Sequence, residues 1–242
     1  MSSSLTYRLR TRPVGLHGDH GDESWGLAWA ALEWLEANVQ PGWHTLETGS
    51  GHSTIVIASR GAVHAAVTPD PGEESRFRAA CAELGVPTDA VTFHIGPSHV
   101  VLPTLPATPL DLVLIDGAHG FPYPVIDWWS VASRVRIGGV VLLDDAYMPP
   151  VAAIIDGLRG DPAWEIESTA GYRTVILRKR AETLPHFDWD GRTVGGRMSF
   201  RYLPPGPRVV ASARHRFFST RLGLRIVALV RRNAGLRWRK TG

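Results

Sequence analysis

The chain has 242 residues, 44% of them hydrophobic and 20% charged, with a net charge of +3. That length and balance suit one substantial globular domain with appendages and exclude a chain too polar to bury a core. A single cysteine, Cys81, excludes an intrachain disulfide framework and fits a reducing cytoplasm.

No apolar run approaches the ~20 residues that span a bilayer. The opening Met1-Ser2-Ser3-Ser4-Leu5-Thr6 lacks the apolar segment of a signal peptide. The average charge hides a split. Residues 1–180 carry 13 basic and 20 acidic side chains, whereas residues 181–242 carry 13 basic and 3 acidic ones. So asymmetric a block points to an acidic partner: the chain's own acidic body, a neighbouring subunit, an anionic membrane or a nucleic acid.

In chain order, residues 1–22 are polar and turn-rich and read as an arm that folds over the site. His17, Asp19, His20 and Asp22 stand close together there, but without helical or strand spacing they suit a solvated loop better than a metal site. Apolar residues three to four apart predict a helix over 23–39, ended by Gln40-Pro41-Gly42. A strand over 43–48, a helix over 53–59 and a strand over 63–68 follow. Residues 73–84 are helical with Gly85 as the stop, and 91–95 form a strand. The proline-rich stretch 97–109 connects onward, with one short helical piece around Val100. Then come a strand over 110–115, a helix over 123–135, a strand over 140–143, a helix over 150–158, and two strands over 164–168 and 173–178 as an antiparallel pair at the sheet edge. This alternation predicts an α/β fold, a doubly wound, mostly parallel sheet. The expected organisation is an arm (1–22), a main domain (23–180) and a basic C-terminal extension (181–242). In the extension, Pro204-Pro205-Gly206-Pro207 reads as a linker, and 209–240 as a basic, loosely amphipathic helix interrupted by Gly223 and Gly235.

The most informative stretch is Leu46-Glu47-Thr48-Gly49-Ser50-Gly51-His52-Ser53-Thr54. It reads as a strand end, a tight glycine turn and a helix start, where unpaired N–H groups meet a ligand and no Cβ holds it off. Glu47 at the strand end disfavours a phosphate and favours a cation or a hydroxyl. The runs 110–115 and 140–143 are apolar throughout, as in strands buried on both faces, and each leads into aspartate: Asp116, and Asp144-Asp145. Ligands of open α/β sheets sit outside the carboxyl ends of strands, so these acids converge on the rim that holds the glycine turn.

The order Glu47-x-Gly49-x-Gly51, Ile115-Asp116-Gly117-x-His119, then Gly138-Gly139 leading to Asp144-Asp145, resembles a class I S-adenosylmethionine-dependent methyltransferase over roughly residues 25–180. Among these it is most similar to the metal-dependent O-methyltransferases of the catechol and macrolide-sugar types. The resemblance implies a Rossmann-like methyltransferase fold and S-adenosylmethionine as cofactor. It also implies Mg²⁺ on Asp116, Asp144 and Asp145, since three carboxylates suit a hard cation that acidifies a hydroxyl. His119 matches the histidine implicated as general base in the sugar enzymes, with Asp116 beside it. The backbone of Thr48, Gly49, Ser50 and Gly51 would face the methionine part. Glu47 and Asp116 would lie near the sulfonium, and Ser53 near the carboxylate. Two positions depart from the pattern. Thr68 stands where an acid usually holds the ribose, with Asp70 two residues on, and Pro97 stands where an aspartate is common, leaving Ser98 to face the adenine. Tyr147, Phe121 and Tyr123 are candidates to line the acceptor pocket, whereas Trp128 and Trp129 read as core.

The expected function is methylation of a hydroxyl on a small molecule, a sugar of a glycoside or glycolipid first and a phenol second. Two alternatives are a non-catalytic methyltransferase-fold binding protein acting through its basic tail and an RNA methyltransferase. Residues 208–242 could instead lie on an anionic membrane surface, placing the protein at the inner face of the membrane, or pack on a neighbouring subunit of a homo-oligomer.

Overall fold

A computed structural model of the chain describes residues 4–11, 14–16, 26–159, 161–182, 204–218 and 220. His17, Asp19, His20 and Asp22 lie outside the described residues. The elements are α1 (Leu5–Thr11), α2 (Trp29–Asn38), β1 (His44–Thr48), α3 (His52–Ser59), β2 (Val63–Thr68), α4 (Glu73–Leu84), β3 (Val91–Ile95), α5 (Ser98–Val101), β4 (Leu110–Ile115), α6 (Tyr123–Val131), β5 (Val135–Leu143), α7 (Pro149–Leu158), β6 (Trp164–Ala170), β7 (Thr174–Lys179) and α8 (Pro205–Phe218). Short 3₁₀ turns, Leu102–Thr104 and Ala132–Arg134, follow α5 and α6.

The strands form one sheet in the order β3-β2-β1-β4-β5-β7-β6. β1 to β5 are parallel, and β7 runs antiparallel to both β5 and β6. β1 and β4 lie side by side, and strand order reverses direction there, so their carboxyl ends open the crevice in which such sheets bind ligands. Successive side chains of β4 alternate between two cores: Leu112 and Leu114 join Leu32, Leu35, Ile55 and Ile57 on one face, while Val113 and Ile115 join Val151, Leu143 and Leu177 on the other. Burial on both faces explains why these strands are apolar throughout.

Four expectations are corrected. The start of the N-terminal arm is not a turn-rich strap: residues 5–11 form α1, whose Leu5 and Leu9 are buried in the core beside α2. Its first N–H groups are satisfied from another helix, since Leu5 N and Thr6 N donate to the Glu36 carboxylate at 2.7 and 3.0 Å. The helix expected over 23–39 begins at Trp29 among the described residues. The helix expected over 123–135 stops at Val131, and β5 starts at Val135 rather than 140. A shift in its pairing with β4 falls where Gly138 adopts φ +85°, so the glycines form an irregularity inside the strand rather than a turn before it.

The C-terminal helix α8 starts at Pro205, so Pro205 and Pro207 of the stretch read as a linker occupy its first turn, where a missing N–H costs nothing. Residues 221–242, including Gly223 and Gly235, lie outside the described residues. No described helix is long and apolar enough to cross a membrane.

Candidate active site

Four segments meet at the carboxyl edge of the sheet. The first is the turn after β1. Gly49 has φ +88°, and a Cβ there would stand 2.6 Å from the Asp116 carbonyl oxygen, so only glycine fits between the ends of β1 and β4. Its N–H donates to Val67 O at 2.8 Å. Thr54 then caps the start of α3: its hydroxyl accepts from Gly51 N at 2.9 Å and donates to the Glu47 carboxylate.

Glu47 is buried, and its charge is met entirely from within the protein. Ser53 Oγ donates to it at 2.7 Å, Thr54 Oγ1 donates as well, and His64 Nε2 lies 3.0 Å away. Thr45 Oγ1 sits 2.8 Å from His64 Nδ1. His64 thus bridges Thr45 and Glu47 through its two ring nitrogens. Ser53, expected on the cofactor carboxylate, thus spends its hydroxyl on Glu47, and Ser50 donates its own to Glu73.

The second segment is the end of β2. Thr68 is buried, and its hydroxyl accepts from Asp70 N at 3.2 Å. Asp70 turns its carboxylate into its own loop, accepting from Gly72 N at 2.8 Å and from Arg76 at 2.5 Å. The third is the start of α5, where Ser98 follows Pro97. Asp127 of α6 is fully buried facing the hydroxyls of Ser98 and Thr48, yet neither Asp127 oxygen nor Thr48 Oγ1 completes a hydrogen bond among the described residues. Burial pushes the Asp127 carboxyl up, and those two hydroxyls pull it partly back. Sequence reading missed Asp127; its signal was an acid among apolar helix residues.

The fourth segment carries the acids. Asp116 N donates to Thr48 O at 3.2 Å, and Asp144 N donates to Ile115 O at 3.1 Å, so the ends of β1, β4 and β5 are stitched in sequence. Burial raises the Asp116 carboxyl well above the ordinary carboxylate range, and the charges of Asp144 and Glu47 add to that. Asp145 holds φ +48°, a left-handed conformation uncommon outside glycine and asparagine-like residues. His119 Nε2 lies 3.3 Å from Asp145 Oδ2 and 4.0 Å from Asp116 Oδ1, with the ring 27% exposed.

Sequence reading also missed Arg173, the residue just before β7. Its Nη2 lies 2.8 Å from Asp144 Oδ2 and 2.8 Å from Asp145 Oδ1. Thr174 donates to the other Asp144 oxygen. Of the three acids expected to hold Mg²⁺, Asp144 and Asp145 are therefore brought together around a guanidinium. Among the described residues no group of three His, Cys, Asp or Glu side chains is arranged to hold a metal ion. The donor set as folded does not fit a divalent cation.

The aromatic candidates sit around this rim. Phe121 and Tyr147 are exposed, and Tyr123 packs on His99 with ring centroids 5.4 Å apart. Tyr147 stacks on Tyr172 at 6.2 Å, beside a cavity of about 240 Å³ also lined by Ile155, Arg159 and Val175. Trp128 packs on Trp164 at 4.8 Å as expected of core, but Trp129 is 76% exposed and is not core.

Sheet order and the glycine turn define a Rossmann-like methyltransferase fold. Residues 46–146 match the family described as a methyltransferase domain. A search of curated proteins finds no match. Among solved structures, the O-methyltransferase TomG from Streptomyces achromogenes, involved in tomaymycin synthesis and solved with S-adenosylmethionine, is 21% identical; 74% of this chain and 87% of that chain are covered, with a TM-score of 0.53. The Podospora anserina methyltransferase PaMTH1, bound to S-adenosylhomocysteine, is 18% identical over 75% of this chain and 89% of its own, with a TM-score of 0.56. The O-methyltransferase NovP is 20% identical over 64% and 81%, with a TM-score of 0.52. At these identities the likeness is one of fold. Residues 46–146 thus carry a methyltransferase domain, and the fold around them is that of S-adenosylmethionine-dependent methyltransferases.

The residues present fit that cofactor. The close backbone at Gly49, which leaves no room for a Cβ, and the carboxyls of Glu47, Asp116, Asp144 and Asp145 at the strand ends suit a polar, cationic ligand.

Proposed function

We propose that the protein methylates a hydroxyl of a small molecule, with His119 as the general base. The observation that carries this reading is the position of His119 at the mouth of the site, with Nε2 directed at Asp145 and Asp116. A carboxylate on that side favours the Nε2–H tautomer and leaves Nδ1 free to take a proton.

S-adenosylmethionine supplies the methyl group as a sulfonium. The backbone of Thr48, Gly49, Ser50 and Gly51 would hold its methionine part, and Thr68 and Ser98 its nucleoside part. Thr68 offers one hydroxyl where an acid would offer two acceptors, since Asp70 is engaged with Arg76. With the sulfonium as methyl donor and the neutral thioether S-adenosylhomocysteine as the leaving group, His119 would take the acceptor's hydroxyl proton, and Asp145 would stabilise the resulting imidazolium. Holding the acceptor oxygen in line is worth more than basicity alone, so the rim of Phe121, Tyr123 and Tyr147 matters as much as the base. Their flat apolar faces and hydroxyls suit a sugar ring or a phenol.

Replacing His119 with Asn should lower kcat by roughly 10²–10⁴ at neutral pH and leave S-adenosylhomocysteine affinity unchanged. Equal turnover by the Asn variant would remove His119 from the reaction.

A further inference from the structure

The carboxyl edge of the sheet carries Glu47, Asp116, Asp144 and Asp145. Glu47 is met by its own hydroxyls and His64. Asp144 and Asp145 have a fixed cation as well. Each of their four oxygens faces a partner: Arg173 Nη2 on Asp144 Oδ2 and on Asp145 Oδ1, Thr174 Oγ1 on Asp144 Oδ1, and His119 Nε2 on Asp145 Oδ2.

A site for a divalent ion aims its oxygens at one common point and keeps cations away from it. Here a nitrogen of a fixed cation occupies the point between the two carboxylates. Arg173 is not a surface side chain that has swung inward. Its side chain is 20% exposed, and its own carbonyl oxygen accepts from Ala146 N at 2.7 Å, which ties its backbone to the residue after the acidic pair. The next residue, Thr174, is fully buried with its hydroxyl on Asp144. Two successive residues, Arg173 in the turn before β7 and Thr174 at its start, are thus built around the pair.

We propose that Arg173 is the resident cation of this site: its guanidinium takes the seat that a divalent ion occupies in metal-dependent O-methyltransferases and closes the Asp144–Asp145 pair to Mg²⁺. The assignment rests on the reading of this rim as the methyl-acceptor site. One guanidinium carries half the charge of such an ion. It returns one positive charge to two carboxylates, so the rim stays negative and keeps its attraction for a sulfonium. It also cannot bind a hydroxyl in its coordination sphere and acidify it. The acceptor's proton is left to His119, whose ring is held by the same Asp145 that Arg173 holds. Arg173 is in this sense a positioning residue: it fixes Asp145, and Asp145 orients His119.

The test is a Mn²⁺ titration of the full chain, read by the electron paramagnetic resonance signal of the free ion, which needs neither acceptor nor turnover. The wild-type chain is expected to leave Mn²⁺ free up to about 1 mM. Arg173→Gln, which removes the charge and keeps a polar side chain, is expected to bind Mn²⁺ at least about tenfold more tightly than wild type. Asp144→Asn added to Arg173→Gln should abolish that gain. Micromolar binding by the wild-type chain overturns the proposal. So does a folded Arg173→Gln chain, checked by its S-adenosylhomocysteine affinity, that binds no Mn²⁺. If Arg173→Gln does not fold, Arg173→Met serves with the same expectation, and the wild-type titration decides in any case. The positioning role has its own readout: Arg173→Lys should shift the pH profile of kcat, whereas a purely structural role would change stability alone. Failure to methylate any hydroxyl would sink the functional reading and leave the Mn²⁺ result standing, so the two failures are distinguishable.

Discussion

Gly49→Ala tests the geometry of the cofactor turn. Two costs add at this position. The first is conformational: at φ +88° an L-residue is in the left-handed region, which costs about 1–2 kcal/mol. The second is steric. The new methyl would sit 2.6 Å from the Asp116 carbonyl oxygen, about 0.8 Å inside ordinary contact, and the blocking atom is backbone at the end of a buried strand. Moving β1 and β4 apart at that edge is an overpacking cost of about 1–3 kcal/mol. The sum is roughly 2–5 kcal/mol, which for a chain of this size lowers Tm by roughly 4–20 °C. Gly42→Ala is the control, because Gly42 has φ +78° with nothing within 4 Å of the added carbon. It should show only the first cost, a fall of roughly 2–8 °C. Thermal unfolding of both variants, followed by titration with S-adenosylhomocysteine, separates them. Gly42→Ala should bind like wild type, and Gly49→Ala should lose affinity as well as stability. Equal losses of Tm in the two variants would show that β1 and β4 are not in contact at Gly49, and would refute the reasoning.

The remaining predictions concern titrating groups. Because the folded protein raises the Asp116 carboxyl, the folded state holds that proton more tightly than the unfolded chain does. This group's contribution is therefore fully present below the ordinary aspartate value of about 3.9 and is lost as pH rises through the raised folded value. The cofactor-free protein should lose Tm across that window relative to Asp116→Asn; parallel pH profiles for the two would contradict it. A bound sulfonium favours the carboxylate, so binding S-adenosylmethionine should release a proton that binding neutral S-adenosylhomocysteine does not. Calorimetry in two buffers of different ionisation enthalpy reads this directly, and identical proton release for both ligands would count against a sulfonium beside Asp116. Burial pushes the Cys81 thiol up to about 11, so it should resist alkylation at pH 8 in the folded chain and react on unfolding. Rapid labelling of the native protein would show that the contact between α4 and the core is wrong.

Much of the fold was legible because its signals are local. The bounds of β2, α4, β3 and β4 match the reading from apolar runs and from Gly85, which ends α4 at φ +72°. What was missed depends on partners distant in sequence. The run Leu5–Thr11 is short and arginine-rich, and what makes it a helix is burial of Leu5 and Leu9 and a cap from Glu36, some 30 residues on. Trp129 looked like core by its residue type, but Trp128 beside it takes the inward position, and adjacent helical residues cannot both face one core. At the site, the acids and His119 were legible from strand ends and spacing, whereas their engagements were not. Nothing local says that Asp70 turns back to Arg76, or that Ser53 serves Glu47. Arg173 carried one readable signal: two adjacent buried carboxylates require a counter-charge, and the sequence supplies few basic residues near a strand end to provide it.

The most direct test of the central claim is a calorimetric titration of the full chain with S-adenosylhomocysteine in the presence of EDTA. The account predicts one site with micromolar affinity, unchanged when Mg²⁺ replaces the chelator. No binding in either condition would contradict the assignment of the Gly49 turn as a working cofactor site, and binding only with Mg²⁺ would contradict the seat given to Arg173.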